Sequence, residues 1–307
     1  MSGDDRLVAG IELGGTKAIV LIARGREVVA SARFPTEAPD RTLAELGDWL
    51  AARQAEHGHP EALGIASFGP IGLDRSSTDY GHITSTPKQA WRGTDVVGYF
   101  SDRFGWPIGF DTDVAGAAIA EHRWGAARNC DVALYLTIGT GIGGGVIVNG
   151  RPLHGAVHPE LGHLRVRRRP GDRFGGVCPF HGDCLEGLAS GPALAARTGL
   201  EGAAIGDDHP VWTHVTAELA EAMAILILTL SPERILIGGG VFQERGALLS
   251  LVRAQTAALL NGYVAGIGEA ELADIIVPPG LGALAGPLGA VALAYLAAQK
   301  AKLARTP

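Results

Sequence analysis

Sulfur and aromatic residues are scarce in this sequence: 3 cysteines and 2 methionines in 307 residues, with aromatics at 6%. Three cysteines are too few for a disulfide-stapled secreted scaffold. Basic charge is not in surplus either. The formal net charge of −6 excludes the general basic footprint of a nucleic-acid binder. The run Arg165-Val166-Arg167-Arg168-Arg169 is the one local exception, and it reads as a solvated or partner-facing loop. Long hydrophobic runs are missing. The longest, about Ala222 to Leu230, is too short to span a bilayer. The acidic opening MSGDDRLVAG lacks the apolar core of a signal peptide. What remains is the composition of a cytoplasmic globular protein, 47% hydrophobic and 19% charged, with length for two domains. Glycine is the one excess, at 45 residues, and it gathers in particular loops, which suggests ligand contact more than disorder.

Two of the three cysteines fall in Cys178-Pro179-Phe180-His181-Gly182-Asp183-Cys184, preceded at a distance by Glu160-Leu161-Gly162-His163. Two thiols and two imidazoles form the donor set of a closed tetrahedral zinc site. A Cys178–Cys184 disulfide is the alternative, and the leftover Cys130 argues against an oxidising compartment. With His163, Cys178, His181 and Cys184 all supplied by protein, no open position is left for a reactive water, so the metal would be structural. It would stiffen a loop beside Glu160 and Glu186.

The chain is written twice. VAGIELGGTKAIVLI from Val8 and ALYLTIGTGIGGGVIV from Ala133 both read as strand, glycine turn, strand. ARGREVVA and NGRPLHG then supply a turn and third strand. Each copy has a further strand, LGIASFGPIG from Leu63 and ILIGGGVF from Ile235. Each closes with strand, turn and small-residue helix, PIGFDTDVAGAAIAEHR from Pro107 and IIVPPGLGALAGPLGAVALAYLA from Ile275. Amphipathic helices are expected over Leu43 to Gln54 and Thr213 to Leu228. The pattern predicts a duplicated α/β fold of two domains, with a cleft suited to a small ligand. The expected boundaries are 1–112 for a smaller first domain and 113–287 for a larger second one carrying the zinc loop. Periodicity does not decide whether the C-terminal helix, about 288–307, packs back onto the first.

Glycine turns let backbone N–H groups approach phosphate oxygens without a Cβ in the way. Gly14-Gly15-Thr16-Lys17 and Gly139-Thr140-Gly141 each lead into a strand. That separates them from dinucleotide fingerprints and P-loops, which open a helix. Gly238-Gly239-Gly240 ends an apolar strand before a helix, a setting for an adenosine-sized ligand. An unliganded tight turn is the alternative for any one of them; three at matching places in a repeat favour a nucleotide.

The segments GIELGGTK, SFGPIGLD, YGHITSTPKQAW, FDTDVAGAA, LTIGTGIGGG, HPELGH, CPFHGDCLEG and ILIGGG together resemble the ROK sugar kinases, of the hexokinase–actin-like superfamily, over nearly the whole chain. Within that family the fructokinase subgroup is the nearest in pattern. The resemblance implies a duplicated actin-like (ribonuclease H-like) fold and ATP-dependent phosphorylation of a hexose hydroxyl, D-fructose first, with Mg²⁺, structural zinc and commonly a homodimer. It implies that Gly14, Gly15, Thr16, Lys17, Gly139, Thr140 and Gly141 surround the ATP phosphates. Gly238, Gly239, Gly240, Pro192 and Gln243 would border the adenosine. It selects Asp113 over its rival Asp111 as general base, and brings Glu160, His163, Glu186, Gly69 and Pro70 to the sugar. His163 would serve both zinc and sugar.

Two departures stand out. Glu12 occupies a position that is Asp in most members, and its longer side chain changes how the carboxylate reaches Mg²⁺ or its waters. Ala115 stands where the family usually has Asn, which removes one side-chain contact near Asp113. A mannokinase or glucokinase is the rival within the family. A catalytically weak sugar-binding regulator is the rival from another functional class, one the same family includes. The first phosphate loop begins within about a dozen residues of Met1, which leaves no room for a helix-turn-helix.

Overall fold

Apolar β-branched runs broken by glycine form two five-stranded sheets in the computed structural model, which describes residues 5–242 and 245–304. The first half contains β1 (Leu7–Leu13), β2 (Lys17–Arg24), β3 (Glu27–Pro35), α1 (Pro39–His57), β4 (Leu63–Ser67), β5 (His82–Ile83), β6 (Thr94–Asp95), α2 (Val96–Phe104), β7 (Ile108–Thr112) and α3 (Asp113–Trp124). Its sheet runs β3-β2-β1-β4-β7. β1 pairs antiparallel with β2 and parallel with β4, and β4 pairs parallel with β7. β4 is buried along its whole length, as a parallel strand covered on both faces requires. The edge strand β3 alternates exposed and half-buried residues.

The second half repeats the plan with β8 (Val132–Ile138), β9 (Ile142–Val148), β10 (Arg151–Pro152), α4 (Leu185–Ala189), α5 (Gly191–Thr198), α6 (Val211–Leu230), β11 (Arg234–Gly238), α7 (Gly246–Leu260), α8 (Glu269–Ile275) and β12 (Ile276–Val277). The order β10-β9-β8-β11-β12 matches the first sheet strand for strand and direction for direction. The helix after the third glycine turn starts only at Gly246, several residues past Gly240.

The chain divides into two compact units. One comprises residues through Trp124, His154–His158 and Ala283 onward; the other comprises Gly125–Leu153 and Pro159–Gly282. The division falls after Trp124 and not at residue 113, because α3 packs on β4 and on α9 (Ala285–Ala304). α9 itself lies on β1, β4 and β7. Small residues make that approach possible: a Cβ at Gly64 would fall on the carbonyl oxygen of Ala290, and one at Gly109 on that of Leu293. α6 and α9 are each long and apolar enough by composition to cross a bilayer, which the run around Ala222 to Leu230 understated. In both, 67% of the apolar window is buried within the protein, so they are core helices here. Trp91 is buried packing, edge-on to Phe68 at 5.5 Å between ring centroids, with Nε1–H donating to the Glu37 carbonyl at 2.8 Å.

Candidate active site

In the first unit, β1 delivers Glu12 and then turns through Gly14–Thr16. The Gly14 N–H donates to the Lys17 carbonyl at 3.0 Å, and Thr36 Oγ1–H donates to the Gly14 carbonyl at 2.7 Å. A Cβ on Gly14 would sit 2.8 Å from the Lys17 carbonyl oxygen, so the turn closes only around glycine. Thr16 and Lys17 are exposed at its tip. Glu12 is half-buried, and its Oε2 is buried with no hydrogen-bond partner among the described residues. Burial first, and then the charge of Asp113, push its carboxyl up to about 7 against the pull of Lys17 and Arg33.

Asp113 opens α3 directly after β7. Burial pushes it up to about 6, opposed by the Val114 N–H that donates to its Oδ1 at 2.9 Å. The helix is capped instead by Thr112, whose Oγ1 accepts the Ala115 N–H at 3.1 Å. Ala115 is buried at 4% exposure and offers the site no polar group. Asp111 is already engaged: its Oδ1 accepts the Thr112 N–H at 2.8 Å and lies 3.1 Å from His154 Nε2, which raises the pKa of His154. His158 Nε2 accepts the Ile71 N–H at 3.2 Å, and its ring lies beside Gly69.

In the second unit, the Gly139 N–H donates to the Gly141 carbonyl at 2.9 Å, and the Gly139 carbonyl accepts the Gly191 N–H at 2.7 Å. That bond brings the start of α5, with Pro192 in its first turn, to the β8–β9 turn. The third glycine turn joins them. The Val241 N–H donates to the Ile138 carbonyl at 3.0 Å, and Gly239, at φ +89°, presses against the Ile138 backbone. The carboxyl ends of parallel β8 and β11 therefore gather Gly139–Gly141, Pro192 and Gly238–Gly240, where open α/β sheets hold ligands. Gln243 lies outside the described residues. Glu186 stands at the same turn: its Oε2 accepts the Ile142 N–H at 2.9 Å.

The zinc candidates converge. One donor atom each from His163, Cys178, His181 and Cys184 lies within 4.8 Å of the others. His163 Nδ1 is 3.4 Å from Cys184 Sγ, 3.8 Å from Cys178 Sγ and 3.3 Å from His181 Nδ1. Neither Cys178 nor Cys184 is in a disulfide. Two soft thiols and two imidazoles at this spacing fit a closed zinc site. The orphaned, half-buried Glu12 carboxylate likewise fits the oxygen environment of Mg²⁺ or its waters. His163 is set by a 3-10 turn, with its N–H donating to the Glu160 carbonyl at 3.0 Å; Glu160 itself is exposed.

The arginine run is exposed at Arg165, Arg167 and Arg169, as a solvated loop would be, and is half-buried only at Arg168. Arg165 pairs with Asp183, Arg168 pairs with Asp172 at 3.2 Å, and Arg169 donates to the Thr213 carbonyl at 3.2 Å. Behind it sits a network that sequence reasoning missed. Arg197 binds both Asp172 oxygens, at 3.3 and 3.1 Å, and Glu218 at 2.6 Å. Arg168 and Asp172 stand at i,i+4, which was the one available signal.

The profile of the ROK family matches residues 8–297. The chain belongs to the ROK family. A fructokinase of Zymomonas mobilis is 45% identical over 98% of this ROK chain and 100% of its own. A fructokinase of Pediococcus pentosaceus is 40% identical over 96% of the chain and 100% of its own. Among solved structures, a ROK hexokinase from Thermus thermophilus superposes with a TM-score of 0.78 at 28% identity, covering 96% of this chain and 99% of that one. A ROK glucokinase from Streptomyces griseus in complex with glucose and AMPPNP gives 0.71 at 26% identity, covering 94% and 99%. The duplicated α/β fold read from the repeat, in the actin-like form that the resemblance implies, is the fold of this ROK protein.

Proposed function

We propose that this ROK protein transfers the γ-phosphoryl group of ATP to a hexose hydroxyl, with D-fructose the first acceptor and fructose 6-phosphate the product. The observation that carries the proposal is Asp113: a desolvated carboxylate at a strand–helix junction, poised at about 6. A general base works best with a pKa near the operating pH. Asp113 accepts the proton as the hydroxyl oxygen attacks. Gly14–Lys17 and Gly139–Gly141 surround the phosphates in this reading: the Gly14 and Gly139 N–H groups close the turns, and the turns present two threonine hydroxyls and one ammonium. Gly238–Gly240 and Pro192 border the adenosine, and Gln243 is the further candidate there. Mg²⁺, when bound with ATP, neutralises phosphate charge, and Glu12 is the residue fitted to its shell.

Glu160, His163 and Glu186 are the sugar ligands proposed from the second unit, with Gly69 and Pro70 from the first. Carboxylates are acceptor-only groups that suit a polyol's O–H donors. Glu186 has Oε1 for that purpose while Oε2 holds the glycine turn. Zinc on His163, Cys178, His181 and Cys184 is structural in this reading and fixes the ring of His163. A cytoplasmic homodimer is the state the family resemblance suggests; light scattering tests the assembly.

The deciding experiment is a coupled ADP-release assay with MgATP against fructose, mannose, glucose and N-acetylated sugars. Turnover led by fructose supports the proposal. Glucose reacting while fructose fails would move the preferred acceptor, and no turnover on any sugar would favour a binding-only regulator.

A further inference from the structure

Between the second β-hairpin and Glu160 runs the short segment His154-Gly155-Ala156-Val157-His158, which clusters with the first unit although the chain on either side of it belongs to the second. Two histidines fasten it. His158 is buried at 6% exposure and accepts the Ile71 N–H, next to Gly69 and Pro70. His154 Nε2 lies 3.1 Å from the Oδ1 of Asp111, itself 3% exposed and two residues from Asp113. A turn, from the Gly155 N–H to the Val157 carbonyl at 3.1 Å, joins the two anchors. β4 and β7 are parallel neighbours, with Ser67 opposite Thr112. The segment thus spans the carboxyl ends of these two strands, the ends that lead to Gly69–Pro70 and to Asp113. Ligands of open α/β sheets sit at such ends.

Only two side chains of this segment carry polar groups, and His158 is committed to Ile71. His154 remains one-third exposed, at 33%. Asp111 holds Nε2 as the N–H side of the ring, which orients the imidazole and favours its protonated, donor-only form. A polyol hydroxyl beside Asp113 is a matching acceptor.

We infer that His154, positioned by Asp111, is a specificity-determining residue that hydrogen-bonds the acceptor sugar. The inference rests on the hexose-kinase reading. Discrimination between hexoses turns on hydroxyl geometry, and a site built to bond one hydroxyl rejects an isomer that leaves its donor unpaired. Asp111 acts through His154 and does not touch the sugar.

The test compares the full-length parent with His154→Ala, His154→Gln and Asp111→Asn. MgATP turnover is measured on fructose, mannose and glucose, and hexose binding by calorimetry without ATP. His154→Ala should raise the KM of the preferred hexose on the order of 10–100-fold, the worth of one charge-assisted hydrogen bond. It should change the ratio between hexoses at least about tenfold. The KM for MgATP should stay at the parent's value. His154→Gln, which keeps an amide donor, should recover part of the loss, and Asp111→Asn should shift sugar KM in the same direction by less. An unchanged hexose ranking overturns the inference. So does an equal loss on all hexoses and on MgATP, the signature of a packing role. If His154→Ala fails to fold, a parent-like ranking in folded His154→Gln and Asp111→Asn overturns it equally. Calorimetry separates the two readings. A parent that binds hexose without turning it over refutes the kinase reading while His154 is still judged by affinity; a parent that binds none refutes both.

Discussion

Replacing Asp113 by Asn should make the protein more stable and nearly inactive at once. Burial raises the Asp113 carboxyl from its ordinary 3.8 to about 6. A raised carboxyl pKa means the folded state holds the proton more tightly than the unfolded one. The associated stability is therefore fully present below pH 3.8 and is lost as pH rises through about 6. The interval, at about 1.4 kcal/mol per pH unit, puts the ionised carboxylate at a cost of about 3 kcal/mol. Partial solvent access reduces this to about 1–2 kcal/mol. Asparagine keeps an Oδ1 for the Val114 N–H, has no proton to lose, and relieves the repulsion that Asp113 exerts on Glu12. At roughly 2–4 °C per kcal/mol for a unit of this size, Asp113→Asn should melt about 2–8 °C higher at pH 8. At pH 4.5 the gain should fall to about one third of that, and it should vanish only below pH 3.8. Turnover in the ADP-release assay should fall by about 10²–10⁴-fold, the scale of general-base loss. The measurement is a melting series from pH 4.5 to 8 beside the kinetic assay. A variant less stable than the parent at pH 8 would contradict the burial argument, and near-parental turnover would remove Asp113 as the base.

Elemental analysis should find about one zinc per chain, as a closed four-ligand site requires. Cys184→Ser should lose it, melt lower and bind sugar more weakly, whereas metal-free protein with unchanged sugar KM would break the link between this loop and the acceptor. Gly239→Ala combines a left-handed φ of +89° with a Cβ driven into the Ile138 backbone, so urea unfolding should report a loss of at least about 2 kcal/mol. Arg197→Ala would leave Asp172 with the Arg168 guanidinium alone and the buried Glu218 without the one it pairs with, a loss of about 3–5 kcal/mol. Asp172 is held down to about 2 by Phe174 N–H, Arg197 and Arg168, so in the parent its contribution is present above pH 3.8 and disappears as pH falls through about 2; acid titration of parent and variant should differ in that window.

The duplicated sheet could be read from the sequence because its signals are local: β-branched runs, a glycine turn, another run, twice. The helices were legible as buried stripes, so α1 was expected from Leu43 to Gln54, and its polar ends, out to Pro39 and His57, lie beyond the stripe. The four zinc candidates were legible for the same reason, three of them lying within seven residues. The partners that distance hides were not. Arg197 meets Asp172 and Glu218 across 25 and 21 positions, and His154 meets Asp111 across 43. Composition showed a small-residue C-terminal helix but not its destination, because periodicity reports that a face is buried and not what covers it. The arginine run is largely exposed, as its charge suggests, but charge alone did not show that Asp172 and Asp183 of the same loop pair with Arg168 and Arg165.

The two copies share a strand order and diverge after the fifth strand, and that divergence divides their chemistry. β7 passes straight into α3, so Asp113 is the first helical residue and its carboxylate stays at the strand's end. β12 is two residues long and leads into Pro278-Pro279-Gly280 before the helix that packs on the other sheet. The first unit thus keeps Glu12 and Asp113 together, both pushed upward by burial and one by the other. Such a pair is costly to ionise in the bare protein. In the proposed function a bound cation and a hydroxyl proton would relieve that cost by giving each carboxylate something to hold. The second unit places Gly139, Gly141, Gly191 and Gly239 together, where carbonyls are bonded internally and a Cβ at Gly191 or Gly239 would press on the Gly139 carbonyl or the Ile138 backbone. A backbone lattice of that kind suits phosphate, whose oxygens need donors and close approach more than charge. Duplication supplied two equal scaffolds; in the proposed function the strand–helix junction lets one carry the acid–base groups and the glycine turns let the other carry the cradle.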